Sequence, residues 1–259
     1  MTKIKSKTVV FINGAFVNHA CWDEWKPYFE RKGYRAVAPP WPGKDADAAT
    51  LRARHPDKVL AAVTLPMILD HYESIIRSLP EKPILIGHSF GGQMAQVLMG
   101  RGLAAAVIAV HAAPPQGVIP YELDFLRSTS SSLGLFTSLN KTYMMSFEKF
   151  QFAFVNGMSL DAQKKAYDAI AAPESKRAVR GGLTRAARVY FRKPHPPLLF
   201  LAGSKDQIIP AHLCKRVFKR YTDDSSVTEF VLKDRNHYVL GLSTWQQDAD
   251  FVLDWIAKH

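Results

Sequence analysis

Gly87-His88-Ser89-Phe90-Gly91, followed by Gly92, places a serine between glycines two residues before and two residues after it. The apolar run Pro83–Ile86 precedes the motif and a helix-like stretch, Gly92–Arg101, follows it. The spacing predicts a strand, a sharp turn carrying Ser89, and a helix. Such a turn strains the backbone, and a side chain at position 87 or 91 would clash there, so both are glycine. The turn exposes the serine hydroxyl and aims the N-terminus of the following helix at developing negative charge. The chemistry this fits is nucleophilic acyl transfer. His88 is read as a packing residue, because neighbouring side chains on such a bend point apart.

A serine hydroxyl is a weak nucleophile until a base takes its proton. His237 follows the apolar run Val227–Leu232 in a loop, Lys233-Asp234-Arg235-Asn236-His237-Tyr238. It is assigned as the base. His111 ends a strand-like run and is a weaker candidate base that could instead line a pocket. His19, His55, His71, His195, His212 and His259 fall in loops, helices or the terminus. Leu199–Gly203 reads as a buried strand leading into Ser204-Lys205-Asp206. Asp206 is assigned as the acid that fixes the tautomer of His237. Asp234 lies too close to His237 in sequence to face it easily. The order is Ser, Asp, His along the chain.

A tetrahedral oxyanion needs two donors. The backbone N–H of Phe90 is expected to supply one. The loop Asn13-Gly14-Ala15-Phe16 after the first strand supplies the other, assigned to Ala15 with Phe16 as the alternative. Phe16, Trp41, His111 and Tyr238 are expected to line the substrate pocket. Trp41, in the rigid turn Pro39-Pro40-Trp41-Pro42-Gly43, reads equally well as structural.

These residues need a scaffold. Short runs rich in Val, Ile and Leu (9–12, 34–40, 83–87, 105–113, 197–203 and 227–232) suit strands buried on both faces of a parallel sheet. Between them lie helix-like segments: 22–31, 65–78, 92–101, 212–220 and 245–258. The alternation implies βαβ units in an α/β fold. From 114 to 196 there is no convincing strand. That interval is rich in aromatic residues and methionine, including Phe125, Phe136, Tyr143, Met144, Met145, Phe147, Phe150, Phe152 and Phe154. Segments 159–170 and 174–189 look helical. The expected organisation is therefore a core of residues 1–113 and 197–259, with a helical cap at 114–196. The cap's composition suggests an apolar pocket for hydrophobic acyl or alcohol groups.

Bulk composition narrows the partners. A chain of 259 residues fits one α/β domain. Its net charge is +11, but the cations are dispersed. They read as a basic surface rather than a nucleic-acid site. Cys21 and Cys214 have no metal-ligand spacing and read as reduced thiols, which fits a cytoplasmic protein. The basic start followed by an apolar run mimics a weak signal peptide, but Asn13-Gly14 interrupts it. No apolar run is long enough for a transmembrane helix. A small-molecule substrate is expected, acting on a monomer or homodimer, with no metal and no cofactor.

The elbow at 87–92, the strand ending in Gly203-Ser204-Lys205-Asp206, and Asn236-His237 resemble the α/β-hydrolase superfamily. Within it the chain is similar to small serine esterases and cofactor-free haloperoxidases. The resemblance covers almost the whole chain. It implies Ser89 as nucleophile, Asp206 as acid, His237 as base, and Ala15 and Phe90 as oxyanion donors. It implies a mostly parallel sheet of about six strands, because the chain starts too near the first strand to hold the two leading strands of larger members. The family usually has His-Gly where this chain has Asn13-Gly14; that His commonly orients the loop, and Asn can also bond backbone. Ser89 argues against haloalkane dehalogenases and epoxide hydrolases, which carry aspartate at the elbow. Ester hydrolysis through an acyl-enzyme is the first expectation. The same triad could serve C–C hydrolysis, a lyase reaction or perhydrolysis, or the scaffold could be a ligand receptor.

Overall fold

A computed structural model describes residues 3–133 and 137–259; Phe136 lies outside them. The first four strands are β1 (Thr8–Ile12), β2 (Arg35–Val37), β3 (Ile84–His88) and β4 (Ala106–Val110). Next come two short strands, β5 (Thr142–Tyr143) and β6 (Glu174–Ser175), which pair antiparallel with each other. The last two are β7 (Leu198–Gly203) and β8 (Thr228–Lys233). Six strands form one sheet in the order β2-β1-β3-β4-β7-β8, and every pairing is parallel. All residues of β1, β3, β4 and β7 are buried, which is why these strands are continuous apolar runs.

After β1 the chain adds β2 on one side and then returns to add β3 on the other. Strand order therefore reverses between β1 and β3. In open α/β sheets the crevice beyond such a reversal is where ligands bind. The loop after β1 and the turn after β3, which carries Ser89, both open into that crevice.

Helices clothe the sheet. They are α1 (Trp25–Arg31), α2 (Ala48–Ala53), α3 (Lys58–Ala62), α4 (Leu65–Arg77) and α5 (Phe90–Gly100). Later come α6 (Leu123–Leu133), α7 (Phe147–Ala153), α8 (Leu160–Ile170), α9 (Lys176–Gly181), α10 (Ala211–Phe218) and α11 (Trp245–Lys258). α4 shows how sequence makes such an element. Thr64 caps it by accepting from the Met67 N–H, and Leu65, Ile68, Leu69, Tyr72 and Ile76 recur at helical spacing on the buried face. α5 is apolar nearly all round and buried along its length, packed across β1, β3 and β4. Phe11 of β1 stacks on Trp22 with centroids 4.6 Å apart, and Phe29 meets it edge-on at 5.3 Å.

Three readings need correction. Residues 22–31 are not one helix: a 3-10 turn at His19–Trp22 precedes α1. The interval 114–196 does contain strand, but β5 and β6 have two residues each, too few for an alternating pattern. The helix expected over 174–189 stops at Gly181, followed by a 3-10 turn at Arg185–Ala187. Gly181 and Gly182 explain the stop. A Cβ there would lie 2.7 Å from Leu65 Cβ and 2.5 Å from Phe90 Cε2, so the chain turns where it meets α4 and the elbow helix. The short helices α2 and α3 escaped notice for the same reason of length, although Asp47 and Asp57 cap them. Among the described residues no helix is long and apolar enough to cross a membrane.

The segment between β4 and β7 is tied to the loop after β1 by main-chain bonds. Asn18 N–H donates to Ile170 O at 3.0 Å, and Ala172 N–H to Phe16 O at 2.9 Å. This seam ends at β6.

Candidate active site

Ser89 sits between β3 and α5 with φ 57° and ψ −121°, the strained bend the motif predicts. The glycines are sterically required. A Cβ on Gly87 would lie 2.2 Å from Gly91 O, and one on Gly91 would lie 2.1 Å from Ile12 O. β1 thus packs directly against the turn. Phe90 opens α5, so its N–H has no acceptor within the helix.

Asp206 follows β7 and His237 follows β8, and the two are brought together. His237 Nδ1 donates to Asp206 Oδ2 at 2.6 Å, with both side chains buried. The carboxylate can only accept, so the Nδ1 proton is fixed and Nε2 keeps its lone pair. That Nε2 is buried and has no hydrogen-bond partner among the described residues. Burial lowers the His237 pKa, against an opposing pull from the Asp206 charge. Burial alone would raise the Asp206 pKa. The charge of His237 and the hydrogen bonds from His111 and His237 outweigh it, and the carboxyl ends well below the usual carboxylate range. Asp206 Oδ1 accepts the N–H groups of Ile208 (2.9 Å) and Ile209 (2.7 Å).

His88 packs as expected. It is buried, its Nε2 donates to His237 O at 2.9 Å, and burial drives its pKa well below the usual value. The loop carrying His237 is therefore pinned to the residue beside Ser89. Ser89 Oγ and His237 Nε2 are not themselves hydrogen-bonded in this state.

In the loop after β1, Asn13 stands where the resemblance expects histidine. Its Nδ2 donates to Gly14 O (3.1 Å) and Val17 O (3.2 Å), closing the loop on itself. Of the two candidate donors, Phe16 N–H is already engaged with Glu174 Oε2 at 3.2 Å. A cavity of about 50 Å³ adjoins Ser89, bounded by Ala15, Phe16, Phe90, Phe125, Val179 and Ile209. Its walls are mostly apolar, with Gln93 and Thr129 also on the lining.

Of the residues expected to line this pocket, only Phe16 does so. Trp41 is buried behind Phe90, with ring centroids 5.9 Å apart, so the turn at 39–43 supports the elbow helix from beneath. Tyr238 faces a separate small cavity on the His237 side, near Phe154 and Leu240. His111 points away from the cavity: its Nδ1 donates to Asp206 Oδ2 at 2.8 Å. His111, Asp206 and His237 form a cluster of potential metal ligands. Yet the two Nδ1 atoms already touch the oxygen at hydrogen-bond distance. The arrangement is a proton network rather than an ion cage. Cys21 and Cys214 are free and buried, and burial pushes both thiols up in pKa, so they are inert.

One pair carried no sequence signal. Lys44 Nζ and Glu174 Oε2 lie 2.7 Å apart with 1% and 0% of their side chains exposed. The same Lys44 Nζ donates to Val17 O at 2.8 Å. Glu174 thereby joins β6 to the loop after β1 and holds Phe16 N–H. Glu174→Ala strands a buried ammonium, a loss of about 3–5 kcal/mol. The expected fall in Tm is roughly 6–20 °C for a domain of this size. A Tm within 2 °C of wild type in calorimetry would refute this role.

Sheet, elbow and buried Asp–His pair define an α/β-hydrolase. The sequence model of the alpha/beta hydrolase family matches residues 9–254, and the chain belongs to that family. Among solved structures it is similar to an extracellular α/β-hydrolase from a Paenibacillus species, described as sharing structural and functional homology with tobacco salicylic acid binding protein 2. The two are 22% identical over 95% of this chain and 98% of that one, with a TM-score of 0.71. A pyrethroid hydrolase from Sphingobium faniae is 19% identical over 97% and 98%, TM-score 0.68. Polyneuridine aldehyde esterase is 16% identical over 96% and 99%, TM-score 0.67. At these identities the likeness is one of fold. No curated protein sequence matches.

Proposed function

We propose that the protein is a carboxylic ester hydrolase acting on a small to medium hydrophobic ester through an acyl-enzyme. The observation that carries this reading is the buried His237. Its proton is locked toward Asp206, its lone pair is free, and its backbone is tied to the residue preceding an elbow serine. In the reaction Ser89 Oγ attacks the ester carbonyl and His237 Nε2 takes the hydroxyl proton. The two atoms close to roughly 2.6–3.2 Å as substrate binds. Ala15 and Phe90 N–H groups receive the oxyanion. His237 returns the proton to the departing alcohol, and water then releases the acid by the same steps.

Residues 114–196 act as a cap, with Phe125 and Val179 over the acyl group. The narrow apolar cavity favours modest hydrophobic groups. The names of the similar structures, an aldehyde esterase and a pyrethroid hydrolase, support the same chemistry. The two inert, unpaired thiols support a reducing, cytoplasmic setting. A fluorophosphonate probe is expected to label Ser89. A panel of p-nitrophenyl esters is expected to show turnover that declines with long acyl chains. No labelling and no turnover would reject the reading.

The base works only when unprotonated, so activity is lost as pH falls through the His237 value. Burial places that value below the ordinary histidine figure of about 6.5. The acid limb of kcat/KM is expected below pH 6.5, and a limb at pH 7 or above would contradict it.

A further inference from the structure

Asp206 Oδ2 is shared by two histidines. His111 Nδ1 donates to it at 2.8 Å and His237 Nδ1 at 2.6 Å. With the two backbone N–H bonds on Oδ1, the carboxylate accepts four hydrogen bonds. A base-orienting acid needs only the bond to the base, so His111 is an addition. Its placement is also specific. His111 closes β4 at φ 47°, a left-handed conformation that a non-glycine residue adopts at a cost. Its backbone N–H is held by Leu201 O at 2.7 Å. Gly203, at the end of β7, leaves room for the ring: a Cβ there would lie 2.4 Å from His111 Cε1. Backbone conformation, a neighbouring glycine and an aimed Nδ1 all serve one contact.

We infer that His111 is a positioning residue that acts through Asp206, dispersing the carboxylate's charge and so setting the basicity of His237. The inference rests on His237 being the catalytic base. A carboxylate that accepts a second imidazole N–H has less charge to stabilise an imidazolium at His237. The base is thereby kept neutral and ready at lower pH. The titratable groups around Asp206 come from every packed element: His88 at the end of β3, His111 after β4, Cys214 on α10 and His237 after β8. His88 and Cys214 make no hydrogen bond to the carboxylate, so His111 is the one that can be removed without breaking the Asp206–His237 bond.

The test compares His111→Ala with His111→Asn, because Asn keeps an N–H donor and tolerates positive φ. In His111→Ala the acid limb of kcat/KM is expected to rise by about one pH unit. The NMR titration midpoint of the His237 ring should rise with it. His111→Asn should restore both to within about 0.3 unit. Equal midpoints in wild type and His111→Ala would overturn the inference, as would a shift of the same size in both variants. If the Ala variant does not fold, nitrogen-15 NMR of the wild-type protein decides. Protons on Nδ1 of both His111 and His237 are expected, and a proton on Nε2 alone at His111 would overturn it. If wild type hydrolyses no ester, the esterase reading fails, while the His237 titration still decides the coupling.

Discussion

Ser89→Ala is expected to lower kcat by about 10⁴–10⁶-fold and to abolish fluorophosphonate labelling, with Tm unchanged. Removing the nucleophile removes the acyl-enzyme, and the other groups cannot replace it because they act as a unit. On the proposed mechanism, what remains is the help given by two N–H donors and the apolar cavity, worth about three to four orders of magnitude over water in a comparable site. Folding should be indifferent. Ser89 Oγ makes no side-chain cap bond to α5, and alanine meets the same φ of 57° with the same Cβ. The paired readout matters. A variant that retains a tenth of wild-type turnover with intact Tm would show that another group performs the attack.

Asp206→Asn is the second large effect, expected to reduce kcat by about 10⁴-fold. Asp206 accepts at both oxygens, from Ile208 and Ile209 N–H on one side and from His111 and His237 on the other. An amide can accept on only one side. The backbone donors cannot change, so the amide oxygen must face them and the NH₂ must face the histidines. Both rings must then present a lone pair at Nδ1 and carry the proton on Nε2. His237 in that tautomer cannot take a proton from Ser89. The loss of the negative charge also withdraws support from any imidazolium. The expected signature is a large fall in kcat, a small change in KM, and a His237 Nε2 proton visible by nitrogen-15 NMR. Retention of the Nδ1 proton with near-normal kcat would refute the assigned role.

Local rules explain what was legible beforehand. Gly87-x-Ser89-x-Gly91 announces its own backbone, because only glycine tolerates contacts of 2.1–2.2 Å between its missing Cβ and neighbouring main chain. The strands β1, β3, β4 and β7 announce themselves because burial on both faces demands continuous apolar runs. Asp206 and His237 were reachable because each directly follows such a strand, and parallel strands deliver their C-terminal ends to one edge of the sheet. Asn13 was legible as a loop-binding residue because its amide bonds backbone only one and four positions away.

Tertiary structure alone decided the rest. Lys44 and Glu174 are 130 positions apart, and nothing near either one marks a buried charge. They meet because the segment between β4 and β7 folds back along the loop after β1. His111 was legible as a strand-end histidine, but whether it faces the cavity or the acid depends on one backbone angle and on the glycine across from it. Trp41 and Tyr238 sit in suitable stretches of chain yet face other walls, since packing against Phe90 and Gly241 turns their rings aside. Periodicity and turn chemistry act over a few residues, so a linear chain carries them openly. Which distant side chains share one oxygen or one cavity is settled only when five crossovers bring their strand ends together.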